Sequence, residues 1–463
     1  MQDPQKAISP QIFQLRNIRL FIAFRIFFTS RFYYPVFTIL FLDFGLTLEQ
    51  FALLNAAWAA TIVLFEVPSG AMADVIGRRN LLVFSGVMMV LEMALLCFAP
   101  RGNVTLLFII ILINRIFSGT AEAAASGADE AIAYDTLKKH GMEKEWPNVL
   151  SRQMRYQSIA QIVSMSVGAA VYDPSLMQRI VDALNLPIQV NQGMTLRFPL
   201  YLTFVMALAT LWTTWQMSEK DSALEEDCVT EVGCLHSIAQ AFAVTLNAGR
   251  WILRTPFALI IILVGLFFDH CIRMMITLTS QYYRLIQLPE ASFGIIAAAI
   301  SGLGIFIPRI ARSMVQKQTP VMNLGVMIMI TLPGLIGVAF IWPIIGLIPM
   351  IFIFSVIYLL HFFTSHYLNR ITSSKQRATV LSFKGLSFNL AYGLFGILYA
   401  VCFAFLRDRA VMTNPVLSGI KLENTVFSQT LAWFPVYFVV LLIGVLAFAR
   451  RALKNNDEYK HPG

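Results

Sequence analysis

Twelve apolar stretches, most of them near 20 residues long, recur along this chain and leave it few ways to fold. A helix rises about 1.5 Å per residue, so about 20 apolar residues carry it across a bilayer with its backbone groups bonded internally. The stretches cover roughly residues 17–44, 49–67, 80–98, 104–125, 156–172, 198–217, 256–280, 291–307, 321–342, 344–367, 379–405 and 426–448. One long polar interval, 218–255, separates the sixth from the seventh. It opens with the acidic run Glu225-Glu-Asp227 and continues with an amphipathic piece over 235–253. The pattern predicts an all-α polytopic membrane protein with 12 transmembrane helices in two pseudo-symmetric six-helix bundles. Residues 1–217 form the first bundle, 218–255 a cytoplasmic linker with an amphipathic helix on the membrane, and 256–463 the second bundle. A further amphipathic stretch, Ser175 to Asn185, is expected to lie on the surface as a helix.

Composition excludes the soluble alternative. Of 463 residues, 57% are hydrophobic and 13% charged, more apolar surface than a soluble domain of this length can bury. The net charge of +9 does not point to nucleic acid, because Lys and Arg sit in short loops between spans. With both termini inside, 24 of the 35 basic residues fall on the cytoplasmic side and 7 outside, as the positive-inside rule requires. The five cysteines are scattered and imply no disulfide framework, and the first apolar run lacks a small-residue cleavage site. His361 and His366 are five apart and face different ways, so no metal pair is expected. No nucleotide loop, nucleophile elbow or metalloprotease motif is found, so neither an enzyme nor a cofactor is expected.

The stretch joining spans 2 and 3 is Glu66-Val-Pro-Ser-Gly-Ala-Met-Ala-Asp-Val-Ile-Gly-Arg-Arg-Asn80. Gly70 and Gly77 allow close backbone approach or a positive φ. Asp74 can cap a helix or pair with Arg78, four residues on. Arg78 and Arg79 hold the loop in the cytoplasm. The spacing Gly70-x-x-x-Asp74-x-x-Gly77-Arg78-Arg79 resembles the signature loop between helices 2 and 3 of the major facilitator superfamily. A degenerate second copy, Gly304-Ile-Phe-Ile-Pro308-Arg-Ile-Ala311-Arg312, stands at the equivalent place in the second half. The resemblance implies alternating access about a central site lined by helices 1, 4, 7 and 10. It also implies a conformational switch. Asp74 would sit near the start of helix 11, at Thr379 to Ser382, with Arg78 holding it. Arg79 would reach Glu130 or Asp135 at the end of helix 4.

Charges inside spans are costly and face a bundle interior or a water-filled cavity. Arg25, Arg31 and Arg115 lie within the first-half spans, and Asp269 and Arg273 within span 7. Arg115 is roughly 16 Å into span 4 and Asp269 roughly 20 Å into span 7, both near the midplane. Asp269 and Arg273 share a helix face, with His270 about 100° round from Asp269. A structural pair pinning span 7 is an equally open reading. Arg115-Ile-Phe-Ser-Gly119 resembles the Arg-x-x-x-Gly pattern of helix 4 in proton-coupled members. In span 5, Ser164-Met-Ser-Val-Gly168-Ala-Ala-Val-Tyr-Asp173 departs from the drug/proton antiporter signature. Glu92, central in span 3, has no assigned role.

These features together predict a secondary transporter for a small anionic or amphipathic organic solute, coupled to protons. Arg31, Arg115, Asp269, Arg273 and His270 would form its path. The expected setting is a bacterial inner membrane, with both termini cytoplasmic, as a monomer with only lipid, solute and protons for partners. Multidrug export by a proton antiporter is the alternative within transport, and a nontransporting receptor or scaffold the alternative outside it.

Overall fold

The computed structural model describes residues 12–218, 234–372 and 377–453; the acidic run 225–227 of the linker and the Asp74 side chain lie outside what is described. Every regular element among the described residues is helical. In chain order the α-helices are α1 (Arg16–Thr29), α2 (Phe37–Phe44), α3 (Leu48–Ile76), α4 (Arg78–Cys97), α5 (Val104–Ala125), α6 (Ala128–Lys139) and α7 (Trp146–Tyr172). There follow α8 (Pro174–Ala183), α9 (Gln192–Thr195), α10 (Phe198–Gln216), α11 (Cys234–Arg254), α12 (Pro256–Thr277) and α13 (Thr279–Leu285). The chain closes with α14 (Ser292–Ser301), α15 (Leu303–Lys317), α16 (Pro320–Ala339), α17 (Leu347–Ile371), α18 (Arg377–Thr413) and α19 (Gly419–Leu453). Ten segments among the described residues are long and apolar enough to cross a membrane. Spans 1 and 5 are the other two of the expected twelve. The first is interrupted between α1 and α2, and α7 carries many polar residues in its first half.

The interruption in span 1 has a local cause. Pro35 has no N–H to donate and disfavours helix in the residue before it, so the chain turns through a 3₁₀ step at Tyr34–Val36. The freed backbone is satisfied from outside: the Phe32 N–H donates to Thr203 Oγ1 on α10 at 3.0 Å. Gly168 on α7 lets that turn come close, since a Cβ there would collide with the Phe32 backbone. Span 7 is interrupted near its end, at Leu278 between α12 and α13. Span 8 is interrupted at Gly302. At the junction of spans 2 and 3 the chain departs from expectation. The helix does not stop at Pro68 but runs on to Ile76, so most of the signature stretch is the last part of α3. The turn itself is Gly77, whose φ of 88° is strained for any residue with a side chain. Gly70 is ordinary helix with nothing within 4 Å of where a Cβ would sit, so neither close approach nor positive φ explains it.

The contacts divide the chain into two compact units. The first holds Met1–Val36, Thr61–Ala243 and Ala291–Ala298; the second holds Phe37–Ala60, Val244–Glu290 and Ala299–Gly463. In the first, α4 packs between α5 and α10, and α1 lies on α7, α6 and α10. Asp173 caps α8 through the Ser175 and Leu176 N–H groups, and its other oxygen accepts from the Ala291 N–H at 3.0 Å. In the second, α12 packs on α17, α18 and α19, and α2 lies on α13. Thus α2 and the first half of α3, early in the sequence, pack with helices from the second half.

Candidate functional site

In the first unit three buried charges meet. Glu92 on α4 is fully buried, and Arg31 reaches it from the turn after α1, Nη1 lying 3.2 and 3.1 Å from the two carboxylate oxygens. Arg115 on α5 approaches the same carboxylate, Nη2 to Oε1 at 3.8 Å. Its Nε donates to Asn114 Oδ1 at 2.9 Å, while the Asn114 amide donates to the Glu92 carbonyl at 2.7 Å. Arg31 also lies over the Phe28 ring. Arg31 and Arg115 are 3% and 4% exposed, so their charges are shared through Glu92. Only the interruption in span 1 puts Arg31 there. Sequence reasoning singled out both arginines, for a water-filled path, and left Glu92 unassigned; a lone acid midway along an apolar span, with two arginines to balance, was the available signal. Two helical turns beyond Arg115 is Glu122, exposed and without an ion pair among the described residues. The charges of Arg31, Glu92 and Arg25 act on it.

In the second unit Asp269 on α12 is fully buried and pairs with Arg273 one turn on, at 2.7 Å. Neither Asp269 oxygen has a hydrogen bond of good geometry. The Arg273 guanidinium donates to Asn389 Oδ1 at 2.9 Å and lies over the Tyr392 ring. Lys384, also on α18 and over Phe388, is near enough for its charge to act on Asp269 and Arg273. No carboxylate lies within ion-pair distance of Lys384 among the described residues. His361 on α17 is exposed and feels both Lys384 and Arg273. His270 belongs to different surroundings. Its Nδ1 contacts the Leu266 carbonyl at 2.5 Å, which makes Nε2 the acceptor of the Tyr437 hydroxyl at 2.8 Å. With both ring nitrogens engaged and the ring against Phe395, His270 braces α12 against α19 and α18. Lys384, Asn389 and Tyr437 were missed in the sequence. Lys384 stands close to a helix start and was counted with the basic residues of the cytoplasmic side.

The contacts expected of Arg79 are made by other residues. Asp135 on α6 pairs with Arg78, not Arg79. Arg79 instead donates to the Met217 and Trp215 carbonyls, 2.8 and 2.9 Å away, at the end of α10. Arg78 is the first residue after the Gly77 turn, and the side chains of successive helical residues diverge by about 100°, so only one of the two arginines can face α6. Glu130 pairs with Arg25 at 2.8 Å, and Arg25 also holds the buried Asp129 at 2.5 Å. Asn17 donates to Thr136 and to the Ser218 carbonyl, joining α1, α6 and the chain beyond α10. Thr379 and Ser382 lie in the first turns of α18. No three His, Cys, Asp or Glu side chains among the described residues are grouped to hold a metal ion.

The sequence pattern of the Major Facilitator Superfamily matches residues 20–396. A search of curated proteins finds no relative by sequence. Among solved structures, a bacterial homologue of the human lysosomal transporter Spinster, inward-facing and occupied, is similar with a TM-score of 0.68 at 15% identity. The alignment covers 98% of this chain and 99% of that one. The nucleoside transporter NupG is similar with a TM-score of 0.66 at 14% identity, covering 94% and 98%. A D-xylose-proton symporter follows with a TM-score of 0.62 at 12% identity, covering 94% and 97%. Identities this low establish the shared fold.

Proposed function

The chain belongs to the Major Facilitator Superfamily, and on that footing we propose that it carries a small organic anion across the membrane by alternating access, driven by protons. The observation that carries the proposal is the charge of the second unit. Asp269 pairs with Arg273 and its charge also acts on Lys384, which has no acid within ion-pair distance among the described residues, so two cations stand near one buried carboxylate. A cation left unbalanced within a membrane segment costs roughly 3 kcal/mol, so the site favours a ligand that brings negative charge. Asp269 is the proton carrier. Protonated, it releases Arg273, which is then free to hold the anion. Arg31 and Arg115 belong to the same path, and their shared grip on Glu92 is what the solute perturbs.

The chain works as a monomer in a bacterial inner membrane with both ends cytoplasmic, a placement supported by the distribution of Lys and Arg. Asp74 and the Gly77 turn, with Arg78 held by Asp135, form the switch on that side. The test is reconstitution of Asp269→Asn. It is expected to bind the solute yet lose proton-driven accumulation, whereas Arg115→Ala is expected to lose binding. Undiminished proton coupling in Asp269→Asn leaves that residue as a structural pair. One observation favours a second reading, export of amphipathic cations: Glu122, exposed and without an ion pair among the described residues, suits a positive ligand.

A further inference from the structure

The ends of α2 and α3 meet the second unit's helices through two clusters of the same design. Arg284 at the end of α13 holds Asp43 on α2 with both ends of its fork, Nη1 to Oδ1 at 2.8 Å and Nη2 to Oδ2 at 2.7 Å. It also holds Glu290, Nε and Nη2 lying 3.0 and 2.6 Å from Oε1. Arg407 on α18 holds Glu49 at the start of α3 and, at 2.6 Å, Glu423 on α19. The segment that supplies Asp43 and Glu49 is further tied by Thr38, whose N–H donates to Ser280 Oγ and whose hydroxyl donates to the Thr277 carbonyl.

Each arginine thus has one partner from the α2–α3 segment and a second from its own half of the sequence. The six side chains are between 14% and 26% exposed, shielded enough for the pairs to count. Two acids on one arginine repel each other across each cluster. If Asp43 and Glu49 leave together, they pass into water, and Arg284 and Arg407 remain neutralised by Glu290 and Glu423. No cation is bared.

We propose that these clusters are a latch with standby partners, closing the membrane face that bears the 43–49 turn and letting it open without stranding an arginine. The proposal rests on the reading of the chain as an alternating-access carrier, but its test needs no substrate. Hydrogen–deuterium exchange is measured on the full purified chain in detergent, following peptides from 37–60 and 278–291, with α4 as an internal control for folding. Asp43→Asn combined with Glu49→Gln removes the grip of the segment, so exchange over 37–60 is expected to rise about tenfold. Glu290→Gln does the reverse: it removes repulsion from the closed cluster and the standby partner from the open one, so exchange is expected to fall. Opposite signs, with α4 unchanged, cannot come from a general loosening of the fold. No rise in the double variant overturns the latch, and no fall in Glu290→Gln overturns the standby role. A chain that shows both effects but transports nothing refutes the transport reading alone.

Discussion

Glu92 decides what the first unit's arginines can do. Removing one partner from a buried charge cluster leaves uncompensated charge and typically costs about 3–5 kcal/mol, whereas removing every member together is often tolerated. Glu92→Gln is therefore expected to lower thermal stability by about that amount. Adding Arg31→Met and Arg115→Met to it should recover much of the loss, because no charge is then stranded. A thermal melt of the single and triple variants checks this; equal stability of Glu92→Gln and wild type would mean that Arg31 and Arg115 are balanced elsewhere. The same scale separates Asp269 from His270. Asp269 is buried without a well-formed hydrogen bond, a condition suited to gaining and losing a proton, while the imidazole beside it is fully engaged by Leu266 and Tyr437.

Among elements, the turn between α3 and α4 shows what a linear pattern can and cannot tell. The glycines, acid and arginines of 66–80 located the turn that Gly77 makes between α3 and α4, but not which arginine faces α6. That choice depends on α3 running on past Pro68 and on where Gly77 sets the phase of α4. With Arg78 and Asp135 each partly exposed, their coupling is expected to be about 1 kcal/mol or less. A double-mutant cycle with Arg78→Gln and Asp135→Asn should find that much, and Arg79→Gln with Asp135→Asn should be additive. Coupling of Asp135 to Arg79 instead would contradict the pairing. The interruption in span 1 was hidden for a related reason. Pro35 was visible, but the stretch around it is apolar enough to read as one span, and only Thr203 and Gly168, more than a hundred residues away, make an open turn tolerable. The expected surface helix over 175–185 was found as α8 because its signal, a local 3.6-residue period, is complete within the segment.

Across the whole molecule, long apolar periods were enough to read an all-helical membrane fold, which the bilayer sets rather than contacts, and the spacing from Gly70 to Arg79 was enough to read its family. The chemistry of the candidate site and the charge clusters was less legible. Lys384 looks like one more topogenic charge until α12 and α18 are packed together, and the pairing of Asp43 and Glu49 with residues beyond 280 is invisible in any local window. The packing of α2 and half of α3 with the second half of the sequence is likewise a property of the assembled chain.

The central claim is that excess positive charge around Asp269 selects an anion. It is tested most directly by thermal-shift titration of the purified chain and of Lys384→Ala against matched anionic, neutral and cationic small organic solutes. A ligand stabilises the form it binds in proportion to how far its concentration exceeds its dissociation constant. The expected result is stabilisation of wild type by carboxylate- or phosphate-bearing solutes, weakened about tenfold or more in apparent affinity by Lys384→Ala. Stabilisation by cations alone, or by anions equally in both proteins, would contradict it.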